Sequence, residues 1–594
     1  MAIVNVENIG QYGINKDLSS SELPINAWTD CKNIRFLDGY ANQFSGHAEV
    51  YATPSFTPQH VLPCAINSVR YWVYTTATKT FCVTNTAGVT VHTDITHVTP
   101  RAGVTNQWTS TLLSGIPVIN AGDTATVPMY WSLNTANKFI DLANWPTNNF
   151  CKSIRAYKNY LIALNVTRPN AIVISSITRV ATVATLTTAV AHGLSNGNTI
   201  QITNAVPAQY NGTYVIAGVT STTFTYTMAS DPGASASPVG NLYGGALSNY
   251  PYMVKWSQPA DPGTVPSSWD QNDPTKDAGE FDLAEGPDII IDGLQLRDSF
   301  MIYKESSIWR MDFTGGTYVF RFQKVLGTSG ALNRNCIVEV DGQHVVLTGS
   351  DVIIHDGQTA TSILDKQTRR SLFQTVDSSN ANLCFVFKNT FFNEVFICYP
   401  SVGMTSCDKA MVWNYKDKTV SFRDLPSLNH ASQGSIDTGL SGTWNSDAES
   451  WDSDITLWET PDTVPAAARV LMASGDGKLY NLDSSSTFNG TNVTSYLERI
   501  GLTFGASEGI KLITGIRPRI RGTTGGTVLI KVGFSNDPYA SPTYTTTMTH
   551  TIGTTVRNDC FAAGRYISIR FESGTAYQWR LDSYSFEVEN GGMW

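Results

Sequence analysis

Short runs of alternating residues, closed every few positions by glycine-bearing turns, constrain this chain more than any other feature. Residues 337–363 read IVEVDGQHVVLTGSDVIIHDGQTATSI. This is strand, Asp-Gly, strand, Gly-Ser-Asp, strand, Asp-Gly, strand. Asp341-Gly342 and Asp356-Gly357 can supply the positive φ angles that a two-residue hairpin needs. A period of two, with no competing helical period, predicts a four-stranded antiparallel meander. The same texture recurs at 61–93, 157–165, 296–322, 383–426 and 469–483. Meanders repeated at a few tens of residues, none able to close its apolar faces alone, predict a β-propeller. Stacked hairpins or a long β-sandwich are the competing arrangements.

Two segments depart from this rhythm. Residues 170–245 are rich in Thr, Ala, Val and Ser and nearly free of charge, which predicts a small β-module inserted in a loop. Residues 495–594 alternate cleanly over many strands and predict a β-sandwich of the usual size. The expected layout is therefore all-β. It comprises an N-terminal assembly arm at 1–50, a propeller at 51–490 carrying the insertion and a long loop at 255–285, and the sandwich at 495–594.

Charge and cysteine usage exclude several functions. Charged residues are 15% of the chain and the net charge is −9, so no basic face for gripping nucleic acid is expected. Residues 517–521 (RPRIR) read as an alternating strand rather than a basic run. A mildly acidic wall would let DNA slide past. The nine cysteines form no Cys-x-x-Cys pair and read as buried free thiols. The N-terminus has no basic and apolar leader pattern, and no apolar run reaches membrane-spanning length; neither a signal peptide nor a membrane span is expected.

No catalytic, metal-binding or cofactor-binding constellation emerges, so no enzyme activity and no cofactor are expected. Gly193-Leu194-Ser195-Asn196-Gly197 matches a nucleophile elbow, but no helix pattern follows, so it reads as a turn. Ser474-Gly475-Asp476-Gly477 resembles a sialidase Asp-box only superficially, because Lys478 stands where that motif wants glycine. His92 and His97, or His344 and His355, could meet across strands, without a third ligand. The candidate interface anchors are tryptophans. Trp444, Trp451 and Trp458 recur every seven residues among five acids. Trp256 and Trp269 sit in the proline-rich stretch 255–283. Indoles bury large areas with few rotamers, which suits packing on a neighbouring subunit. Paired carboxylates in a carbohydrate cleft are the sharper alternative for that stretch.

Four stretches carry a resemblance to a known family. They are GINKDLSSSELPINAWTDCKNIRFLDGYANQFSG (13–46), KWSQPADPGTVPSSWDQNDPTKDAGEFDL (255–283), LRDSFMIYKESSIWRMDFTGG (296–316) with GALNRNCIVEVDGQHVVLTGSDVIIHDGQ (330–358), and GRYISIRFESGTAYQWRLDSYSFEVENGG (564–592). Together they resemble tail nozzle, or tail-hub, proteins of short-tailed bacteriophages. The insertion is similar to a small β-module reused across phage tail and fibre proteins. The resemblance implies a virion protein made in the bacterial cytoplasm. It implies self-association into a ring, commonly a hexamer. The implied partners are the tail adaptor, tail fibre or spike proteins, and double-stranded DNA passing through the axial channel. A glycan-binding or glycan-cleaving tail protein is the alternative, since propellers and sandwiches both host such sites.

Overall fold

Asp341 and Gly342 adopt φ of 50° and 73°, the paired positive angles of a type I′ turn. They close the hairpin Ile337–Val340 with Gln343–Leu347, register Val340 to Gln343. The second Asp-Gly behaves differently. His355 pairs with Ala360, so four residues lie in that connection and only Gly357 is left-handed. The Asp356 carboxylate accepts from the Gln358 and Thr359 amides at 2.9 and 2.8 Å, an Asx-type turn in place of the expected two-residue one.

The computed structural model describes residues 2–593, apart from 67–68, 87–88, 100, 102, 105–106, 317 and 437–467. The chain is all-β. Lys366–Thr375 is the one α-helix among the described residues, capped by Asp365 accepting from the Thr368 amide. It divides into two compact units, residues 1–96 with 324–594, and residues 97–323.

In the second unit three antiparallel meanders follow one another. Thr109–Leu113, Ile116–Asn120, Met129–Tyr130 and Ile140–Asp141 form the first. Phe150–Tyr157, Tyr160–Ile172, Asn241–Trp256 and Gly279–Asp282 form the next, and Ile290–Leu296 to Phe320–Leu326 the third. They pack face to face in chain order. Leu113 and Val118 of the first share a core with Ile154 and Leu161 of the second. Tyr157 and Val254 of the second share another with Phe300 and Met311 of the third. Packing successive antiparallel sheets face to face, the middle one widened to six strands by Thr199–Thr203 and Gly212–Val215 of the insertion, is the blade construction of a β-propeller.

The insertion leaves this unit's middle meander at Ile172 and returns at Asn241, within a few residues of the expected bounds. It has its own core around Ile177, Leu186, Ile200 and Phe224. Gly240 at its exit has φ of 75°, and a Cβ there would lie 2.2 Å from the Thr203 carbonyl oxygen, so only glycine fits this close return.

The first unit contains further meanders. His60–Ile66 to Val89–Asp94 is one, and Ile337–Val340 to Ala360–Ser362 is another. A nine-stranded sheet runs from Phe385–Asn389 through Leu479–Ser485 to Gly46–Glu49 and two short strands. Val420–Gly434 makes this sheet continuous: its first half pairs with Cys407–Asn414 and its second half with Arg469–Ser474. None of the nine cysteines forms a disulfide and eight are buried, as small apolar side chains would be.

The C-terminal sandwich corrects the expected boundaries. Residues 1–50 are not a separate arm, and the sandwich is not confined to 495–594. Ala2–Val6 zips antiparallel onto Val588 back to Tyr584. Ile34–Leu37 and Tyr40–Gln43 extend the same sheet. Asp30–Lys32 joins the opposite sheet beside Ser495–Leu502. Trp28, 1% exposed, lies in the core against Phe571 and Tyr584, and its indole N–H donates to the Ile9 carbonyl at 2.6 Å. The physical reason is that scattered apolar residues such as Val6, Ile9, Ile14, Ile34 and Phe36 have no core of their own and find one only in the distant strands.

A buried ion network ties the sandwich to the nine-stranded sheet within the same unit. Arg35 forks onto Glu394, Nε to Oε1 at 2.6 Å and Nη2 to Oε2 at 3.0 Å, and also reaches Asp483 at 2.6 Å. Arg423 donates to Asp483 at 2.7 Å and to the Ser45 carbonyl at 2.7 Å. All four side chains are at most 6% exposed. Two cations offset two anions, which is what keeps buried charge tolerable. Burial alone would raise the pKa of Asp483, but Arg35 and Arg423 outweigh it and hold it below the ordinary aspartate value.

A second cluster gives a pH prediction. Glu587 accepts from Arg557 (Nη2 to Oε2, 2.8 Å) and Arg517 (Nε to Oε1, 2.8 Å), and the Arg557 hydrogen bonds dominate in lowering its pKa to about 2. The unfolded chain titrates this group near 4.3. Its stabilisation is therefore complete above about pH 4.5 and disappears as the pH falls through about 2. Glu587→Gln is expected to lower the urea midpoint at pH 7, with the gap to wild type closing towards pH 2. A gap that stays constant across this range contradicts the assignment.

Candidate functional site

The tryptophans expected at an interface do not serve as one where they are described. Trp444, Trp451 and Trp458 lie outside the described residues. Trp256, 8% exposed, donates to the Asp277 carbonyl at 2.8 Å and meets Phe320 edge-on at 5.3 Å. Trp269, 1% exposed, packs edge-to-face on Trp145 at 4.7 Å. Both are consumed inside the chain, which corrects the interface reading. Most of the connection between Trp256 and Gly279 pairs with no strand, so buried side chains must fix it in place of a ladder.

Fixing that loop creates a cleft of about 390 Å³ within the second unit. Three elements converge on it. The turn around Asn144, Trp145 and Asn149 supplies one side. Arg168, Tyr243 and Lys255 come from the two long strands that carry the insertion, and Gln201 and Thr203 from the insertion itself. Ser267 to Asn272 of the loop supply the rest. The Asn144 side chain donates to the Pro266 carbonyl at 3.2 Å, joining turn to loop.

Lys255 is 2% exposed, and its Nζ donates to Gln271 Oε1 at 2.7 Å and Glu280 Oε2 at 3.1 Å. Glu280 also accepts from Arg168 Nη1 at 2.8 and 3.0 Å. Burial lowers the pKa of Lys255, with Glu280 pulling the other way. Burial would raise the pKa of Glu280, but Lys255 and Arg168 outweigh it and hold it below the ordinary value. A glycosidase general acid needs the opposite, a carboxyl kept protonated near neutral pH. Asp270 is the only carboxylate among the residues lining the cleft. The acids of 255–283 are thus not brought together as a working pair in this cleft.

The other motifs resolve as turns or pairs. Gly193 and Gly197 have φ of 66° and 84°, and the next element is the strand Thr199–Thr203, not a helix. In Ser474–Gly477 the Asp476 carboxylate accepts from the Tyr480 hydroxyl at 2.6 Å. His344 and His355 do face each other across strands, with ring centroids 5.6 Å apart. Among the described residues no group of three His, Cys, Asp or Glu side chains is placed to hold a metal ion. Arg517, Arg519 and Arg521 alternate outward on the strand Gly509–Gly522, and Arg517 and Arg521 pair with Glu587 and Asp582. No helix among the described residues is long and apolar enough to cross a membrane.

No family model matches the chain, and no curated protein matches it. Solved structures give remote overlaps. The phage phi92 endosialidase overlaps 74% of this chain and 69% of its own at 11% identity, TM-score 0.24. The extracellular domain of a one-component system protein from B. thetaiotaomicron overlaps 86% and 74% at 9% identity, TM-score 0.21. The exo-β-1,3-galactanase from Phanerochaete chrysosporium overlaps 92% and 100% at 8% identity, TM-score 0.16. At such scores these overlaps mark β-rich neighbours and say nothing of this chain's activity.

Proposed function

We propose that the chain is a structural subunit of a bacteriophage tail nozzle, a virion protein that assembles into a ring below the portal and adaptor. In this role it retains DNA in the particle and conducts it during ejection. The observation that carries the reading is the interlocking of the two chain ends. A wall subunit must resist unzipping, and the last long strand is covered on one side by Gly509–Gly522 and on the other by Ala2–Val6, so it is not left as an open edge. The buried charges support it too: Arg35, Arg423, Glu394 and Asp483 are committed to one another, joining one layer of the unit to the next. The sequence resemblance at 13–46, 255–283, 296–316, 330–358 and 564–592 points the same way. The net charge of −9 suits a conduit that does not grip its cargo.

Negative-stain images of the purified protein test this reading. Closed rings with a central hole are expected; monomers alone at every concentration, including in the presence of the adaptor, contradict it. Incubation with capsular or lipopolysaccharide glycan adds an independent check. Release of oligosaccharide would replace the structural reading with a glycan-cleaving one.

A further inference from the structure

We propose that the cleft between the Asn144–Asn149 turn, the insertion and the loop at 267–272 binds one neutral sugar residue. Its volume of about 390 Å³ lies at the lower end of small-ligand clefts, roughly 300–1,000 Å³. Two polar groups on its lining are buried without a hydrogen-bond partner, the Trp269 indole N–H and the Thr203 hydroxyl. Buried polar groups are nearly always paired, and a pair of unsatisfied ones on a single cleft marks where a ligand hydroxyl can dock. The two residues line the cleft from different elements, the loop and the insertion, so a ligand hydroxyl that displaces their thin cover would join both.

The remaining lining specifies the ligand class. Gln201 and Asn272 carry amides that donate and accept, and Asn144 and Gln271 keep amide groups beyond those bound to Pro266 and Lys255, the match for hydroxyls that do the same. Trp145 adds a half-buried indole wall for the apolar face of a pyranose ring. The cations are already answered. Arg168 and Lys255 share Glu280, and Asp270 adds a second carboxylate, so no uncompensated positive charge remains for an acidic sugar. With one lining carboxylate, the cleft is built to hold a sugar rather than to cut a glycosidic bond. Binding here goes beyond the nozzle role and does not rest on it.

The test is saturation-transfer NMR on the full chain. The probes are methyl α-D-glucopyranoside, methyl α-D-galactopyranoside and methyl α-D-mannopyranoside, with N-acetylneuraminic acid as the acidic comparator. At least one neutral glycoside is expected to saturate with a Kd of about 1 mM, the scale ordinary ligand efficiency gives so small a molecule. Trp269→Phe removes the indole N–H and keeps an aromatic ring; Gln201→Ala changes a half-buried strand residue and serves if the first variant fails to fold. Each is expected to weaken binding about tenfold. Three results overturn the proposal: no neutral glycoside binds, the acidic sugar binds more tightly, or both folded variants bind as wild type does.

Discussion

Replacing Arg423 with methionine is expected to destabilise the first unit by about 3–5 kcal/mol, the loss typical of breaking one side of a buried ion pair. The substitution leaves two buried carboxylates, Asp483 and Glu394, sharing the single cation Arg35. It also removes the donor to the Ser45 carbonyl. A chain of several units does not unfold in one step, so the readout is the first thermal transition together with amide exchange in Glu394–Tyr399 and Leu479–Ser485. The double variant Arg423→Met with Asp483→Asn restores balance, one cation to one anion, and should recover part of the loss. Asparagine is the right partner change because Asp483 has φ of 58°, a backbone conformation that asparagine tolerates. A neutral single variant, or a double no better than the single, contradicts a network held together by charge balance.

The second large effect concerns the sandwich. Residues 495–594 produced alone are expected to remain unfolded or to aggregate. That fragment lacks the four strands and the Trp28 side chain that residues 2–43 supply. It would expose the last long strand as an open edge and leave Phe571 and Tyr584 without their indole. Losing Trp28 by itself, as Trp28→Ala, should cost about 3–5 kcal/mol. Joining residues 1–45 to the fragment through a flexible linker is expected to restore a cooperative thermal transition and dispersed amide resonances. A fragment that folds without them contradicts the interlocked-ends description. There is a kinetic corollary: the N-terminal strands wait for partners made more than 450 residues later, so folding of this layer is dominated by non-local pairing and is slow.

Hairpins are local, so the Asp341-Gly342 turn and the meanders on either side of it follow from residues a few positions apart. The insertion was legible because its composition changes abruptly and its core is made within itself. The arm was misread because Ile9, Ile14, Trp28 and Phe36 follow no period of their own; their order exists only in partners such as Leu497, Phe571 and Phe586. Trp256 and Trp269 were misread for a related reason. A tryptophan in a proline-rich loop looks the same whether it anchors a neighbour or pins its own loop, and only Trp145 and Phe320 decide which. The cleft was half legible. The stretch 255–283 stood out as a long connection that could line a sugar site, but Arg168, Gln201 and Tyr243 arrive from distant strands and no spacing announces them.

A reconstruction of the virion that locates this chain tests the nozzle role most directly. The expected result is several copies in a closed ring below the portal and adaptor, with the genome's exit path on the ring axis. A single copy, or copies placed away from that path, would contradict it.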